Sequence, residues 1–219
     1  MTSRIRLISA IALSGMTLAL AGCKTKGDIV LDESVGISSV RSACPAVGIP
    51  DYTGDMTLFT TPGATDAASI DLTAAMTNVR TTCNDQAAKV YTEAEFDVLA
   101  RRTNSAQART VQLPYFVTVL RGGTSVVTKR VGTVTLTFAA GQDRAQAHGK
   151  AGAFVDKAEA TLPSDVRDRI MRKRRAGDSD AAVDPLSQPD VKAAVARATF
   201  EVLVGFQLDD KQLAYNATR

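Results

Sequence analysis

The 219-residue sequence has no tryptophan, a single histidine, three cysteines and only 5% aromatic residues. One imidazole in the whole chain excludes sites that need several, and there is no HExxH helix, GxSxG elbow or phosphate-cradling glycine loop. That histidine, His148, sits on the polar side of an alternating segment beside Lys150, the pattern of a solvated surface side chain. The missing tryptophan removes the Cys…Trp…Cys signature of true immunoglobulin domains. Long apolar runs are absent too: the uncharged stretch 7–20 has 14 residues, short of the about 20 that a membrane-spanning helix needs. No internal repeat is present.

The stretch 7–20 is organised, however. Arg4 and Arg6 precede it and small Ala21 and Gly22 follow it, the order of a secretory signal. Leu20-Ala21-Gly22-Cys23 resembles the lipobox of bacterial lipoproteins. In that family the segment before the cysteine is removed and the cysteine, now the first residue, carries acyl chains. The resemblance implies a signal peptide over 1–22, acylation of Cys23, and a tether over 23–43, where Gly27, Gly36 and scattered Ser, Asp and Glu residues interrupt any period. A single myristoyl chain holds reversibly whereas two signals anchor stably, so the membrane becomes a partner through Cys23. Position 24 is Lys, not the Asp that retains such lipoproteins at the inner membrane. This implies an outer-membrane protein facing the periplasm.

The mature chain, Cys23 to Arg219, has 197 residues, enough for one domain over 44–219 with a real core. Without Arg4 and Arg6 it carries 24 basic and 23 acidic side chains. A net charge near zero gives no support for nucleic-acid binding. Once Cys23 is acylated, Cys44 and Cys83 remain in a compartment that permits disulfides, and one intramolecular pairing exists. Its loop of about 40 residues contributes roughly 4 kcal/mol in the chain-entropy description. The other reading is two reduced thiols or a metal pair, although no CxxC spacing or nearby histidine accompanies them.

Period-two patterning dominates the mature chain. Short extended pieces are expected at Met56 to Thr60, at Ile70 to Thr73 and around Val79, Thr81 and Cys83, which puts Cys83 on an inward face. Val90, Thr92, Ala94, Phe96, Val98 and Ala100 alternate with polar neighbours as in a half-buried strand. Val111 to Val119 and Ser125 to Phe138 form a pair about the turn Arg121-Gly122-Gly123-Thr124. Ala145, Ala147, Gly149, Ala151 and Ala153 give the next strand a face of small residues, which implies close packing. After Pro163 the period becomes helical, with Ser164 as N-cap, Val166 and Ile170 on one face, and Lys173, Arg174 and Arg175 at the C-terminal end. A second short helix starts at Pro189, and Phe200 to Leu208 closes the chain as a strand. The predicted fold is mainly β, an immunoglobulin-like sandwich with two short helices before the last strand, a small barrel being the alternative.

Candidate chemistry is sparse. Glu93, Glu95 and Asp97 share one face of one strand, as solvated alternate residues do. Asp178, Asp180 and Asp184 begin with calcium-loop spacing, but Ala182 occupies the third ligand position and no glycine follows it. Arg167, Arg169, Arg172, Lys173, Arg174 and Arg175 form one dense basic cluster, a candidate contact site. The mature chain resembles uncharacterised envelope lipoproteins, a likeness that brings no activity with it. The expected function is a lipid-anchored structural or protein-interaction module that docks an envelope protein or cell-wall polymer. A carrier for a small apolar or glycan ligand is the alternative; no enzyme activity, cofactor or metal is expected.

Overall fold

The computed structural model describes residues 42–172, 174 and 177–219. The signal segment, Cys23, nearly all of the tether, and Lys173 and Arg175 lie outside the described residues. Residues 173–181 fall outside the compact unit that carries the sheets.

Eight strands run in chain order: β1 (Ala46–Gly48), β2 (Asp55–Phe59), β3 (Ile70–Asn84), β4 (Lys89–Arg102), β5 (Arg109–Arg121), β6 (Ser125–Phe138), β7 (Arg144–Asp156) and β8 (Phe200–Phe206). They form two four-stranded sheets, β1-β8-β5-β6 and β2-β3-β4-β7. Every neighbouring pair is antiparallel except β1 and β8. The edge strands β6 and β7 run close together and curl the two layers into a half-barrel. Strand accounts for 48% and helix for 19% of the described residues, so the mainly β expectation holds.

The core follows from the alternation. Along β4 every even residue from Val90 to Arg102 is buried, and Phe96 and Val98 meet Leu72 of β3, Leu113 of β5, Leu136 and Phe138 of β6 and Phe206 of β8. The small-residue face of β7 points inward as expected. Its Gly149 stands opposite Phe96, and a Cβ there would come within 2.5 Å of the phenyl ring. Glycine is what lets that ring lie across β7. A second cluster, around Val119, Val155, Phe200 and Val202, fills the other end of the sandwich.

β3 is one strand of 15 residues where the sequence suggests two pieces. A bulge between Thr77 and Arg80, with Asn78 at φ 55°, shifts the inward set from Leu72, Ala74 and Met76 to Val79 and the residues that follow at even spacing. Cys83 thereby stands opposite Thr92, which is fully buried. Its face is the predicted one, but it lies at the exposed end of the sheet and is not itself enclosed.

Two helices precede β8, as predicted: α1 (Ser164–Met171) and α2 (Pro189–Ala198). Val166 packs with Val191 and Ala194, and half-buried Ile170 and Val195 join them. Ser164 is the first helical residue and not the N-cap; Pro163 holds the cap position and supplies no side-chain bond. Helix α1 ends at Met171 with Arg172 as C-cap, so Arg172 and Arg174 lie past the helix rather than on its last turn. A third helix, α3 (Asp210–Thr218), follows β8 and has no counterpart in the expectation. Asp209 and Gln212 close a capping box at its start, and buried Asn216 donates to the carbonyls of Tyr52 and Asp55 at 2.7 and 2.8 Å. No described helix is long and apolar enough to cross a membrane.

Candidate functional site

The face of the β2-β3-β4-β7 sheet that points away from the core carries an ordered polar array. Odd residues of β4 and even residues of β7 share it, because each β4 residue stands opposite a β7 residue of the same orientation. Antiparallel register fixes the rows Tyr91 with Phe154, Glu93 with Gly152, Glu95 with Lys150, and Asp97 with His148. On the other side of β4, Asn84, Thr82 and Arg80 of β3 continue the first three rows.

Glu93 and Asp97 are engaged with separate partners. Glu93 accepts from the Tyr91 hydroxyl at 2.8 Å and lies 3.9 Å from the Lys150 ammonium. That bond holds the Tyr91 hydroxyl above the ordinary phenol range, because ionising it would place two anions together. Asp97 accepts from the Asn78 amide at 2.7 Å and lies 3.2 Å from His148 Nδ1. The Asn78 bond, then the His148 contact, holds its carboxyl below the usual range. Asn78 reaches Asp97 from the bulge, where its left-handed backbone belongs to a residue type that tolerates it. No group of three or more His, Cys, Asp or Glu side chains suited to a metal occurs among the described residues.

Cys44 and Cys83 lie at disulfide distance, with Sγ atoms 2.09 Å and Cα atoms 6.1 Å apart. The link ties the segment that leads into β1 to the far end of β3, which belong to different sheets.

Among the described residues of the basic cluster, Arg167, Arg169 and Arg174 face local acidic partners. Arg169 bridges Asp165 within α1 at 3.8 Å and Asp190 at the start of α2 at 2.7 Å, and holds the Asp190 carboxyl below its usual range. Arg167 lies 3.8 Å from Asp168. Arg174 and Asp180 face each other at 3.8 Å within the separate segment 173–181. Asp184 caps the short 3-10 turn Pro185–Ser187 by accepting from the Leu186 amide at 2.9 Å.

Two features that sequence reasoning missed stand out. Arg102, the last residue of β4, is only 3% exposed, and its guanidinium donates to four carbonyls: Gln142, Gln107, Ser105 and Ala139. It also stacks 4.9 Å above the Phe138 ring. The alternation of β4 placed it inward, and that parity was the available signal. The second is Phe154, which is 65% exposed beside Tyr91, their ring centroids 4.7 Å apart. Its even position in β7 assigned it to the outer face.

A groove of about 660 Å³ runs over the same sheet toward β2. Leu99 and Ala75 contribute its apolar floor, and Arg101, Arg144, Asp55 and Arg219 its rim. Arg219 pairs with Asp55 at 3.0 Å and Arg101 with Asp143 at 3.1 Å.

Compared with family models, with curated proteins and with solved structures, the chain has no match in any of the three.

Proposed function

We propose that this chain is a lipid-anchored protein of the bacterial envelope, held in the outer membrane through acyl chains on Cys23 and facing the periplasm. Its sandwich works there as an interaction module. The anchor rests on the lipobox and on the uncharged stretch before it; the link between Cys44 and Cys83 suits an oxidising compartment. The observation that carries the interaction reading is the outer face of β4 and β7. There charged and aromatic side chains are fixed in register by one another and left open to solvent. Side chains already immobilised lose less entropy on binding, so a face of this kind favours recognition.

A photocrosslinking residue at Glu95, in the native full-length protein in its envelope, tests the reading. One defined adduct is expected from Glu95 and none from Thr135, an outward position on the other sheet. The adduct should disappear in a Cys23→Ser variant that no longer reaches the membrane. Equal labelling from both positions, or none from either, contradicts it.

A further inference from the structure

We infer that Tyr91 and Phe154 form a platform for an extended glycan, a reading that rests on the interaction module proposed above and names its ligand class. The two residues stand directly opposite on β4 and β7. Their rings are tilted by 40°, and Phe154 is the most exposed large hydrophobic side chain among the described residues, at 65%. Gly152 builds the surface: a Cβ at that position would come within 2.6 Å of the Tyr91 hydroxyl oxygen and 2.9 Å of its ring. The phenol therefore lies over the β7 backbone at Gly152, half-buried, with the exposed phenyl group of Phe154 against it.

Polar groups border the rings on their own row and on the next two. Glu93 keeps acceptor capacity beyond the Tyr91 bond, Lys150 is 64% exposed in its side chain, and Thr82 and Asn84 of β3 continue the rows of Glu93 and Tyr91. A pyranose matches this combination. One side of the sugar presents C–H groups that stack on an aromatic face, and its rim presents hydroxyls that both donate and accept. Around the rings Lys89, Lys150 and Arg80 stand against Asp156, Glu93 and Glu95, a balance that suits a hydroxyl-rich ligand better than an ionic one. An anionic lipid surface fits worse, because Glu93, Glu95, Asp97 and Asp156 are interspersed with the basic Arg80, Lys89 and Lys150 on this face and leave no uniformly positive patch. The tilted pair stands on the outer face of the sheet with Phe154 exposed, so a polymer chain can pass over it.

The test uses the full-length protein in neutral detergent with N-acetylglucosamine hexamer and cellohexaose as probes, followed by tyrosine emission, which no tryptophan obscures. At least one hexamer should bind saturably. Phe154→Ala and Tyr91→Ala should each weaken binding by roughly tenfold, a change typical of losing one stacking face, and Gly152→Ala should weaken it by displacing the phenol. Tyr91→Phe keeps the ring and should retain most of the affinity; Leu99→Ala, on the same face beyond these rows, should change nothing. Absence of binding to both hexamers, or full binding after Phe154→Ala, overturns the inference. So does a Phe154→Ala variant that instead loses affinity for phosphatidylglycerol vesicles. If the Glu95 crosslink persists while both hexamers fail, the glycan inference falls and the interaction module stands.

Discussion

Arg102 shows how a single side chain can organise a sheet end. Its four carbonyl partners come from the 103–108 connection and from the turn after β6, so one buried guanidinium ties two loops to the end of β4. Arg102→Met keeps the stem and removes the fork. It should lower the free energy of unfolding by about 2–4 kcal/mol, since four hydrogen bonds from one buried charged donor are lost at once. Urea denaturation measures this, and a loss below about 0.5 kcal/mol, the scatter of neutral surface changes, would show that the carbonyls find other partners. Nearby, Arg109 grips Asp71 through two bonds of 2.7 and 2.8 Å, and this grip, more than the farther Arg102, holds the Asp71 carboxyl below its ordinary 3.8. A depressed folded value means the stabilisation is complete above the ordinary carboxylate range and is lost as pH falls through the folded one. The melting temperature should thus be flat near neutrality and drop below about pH 4, less steeply in Asp71→Asn. An identical acid profile in that variant would remove Asp71 from the account. Parity alone made Arg102 legible as inward. Its partners were not, because they lie up to 40 residues away in sequence and only strand pairing brings them near.

At the scale of elements, local periodicity carried most of the information. The bounds of β4 and β6 follow from the alternation of Val90 to Arg102 and of Ser125 to Phe138, and the paired glycines 122 and 123 adopt the positive φ their turn requires. The bulge in β3 was hidden because a one-residue insertion breaks the period without a glycine to mark it, and two fragments remain. Helix α3 was hidden for a different reason: its apolar content is low, and it is held by capping and by the Asn216 amide rather than by a hydrophobic stripe. Asn216→Ala should cost about 1–2 kcal/mol and speed amide exchange in α3 ahead of the sheets; unchanged exchange there would mean other contacts hold the helix. Gly149→Ala tests the close approach of β7 to Phe96. With the ring unable to keep its place, a loss of about 1–3 kcal/mol is expected, and a neutral result would mean that Phe96 shifts without strain.

For the whole molecule, the link between Cys44 and Cys83 joins the two sheets near the point where the chain enters the domain. Its loss should lower stability by about 2–5 kcal/mol, read by urea denaturation with and without reductant after non-reducing peptide mapping has confirmed the pair. Reactive thiols at both positions in the unreduced protein would remove this element of the account. The sandwich and its inward faces were legible because they depend on residues close together in sequence. The aromatic platform was not, because only the register of β4 against β7 brings Tyr91 beside Phe154. Everything proposed about the role of that face depends on the chain being held at a membrane by its cysteine, and mass spectrometry of the N-terminal peptide from the membrane fraction tests this most directly. The account predicts that the first residue is Cys23 carrying acyl chains, with Cys23→Ser protein absent from the membrane; an unmodified Cys23, or a mature protein that begins at another residue, contradicts it.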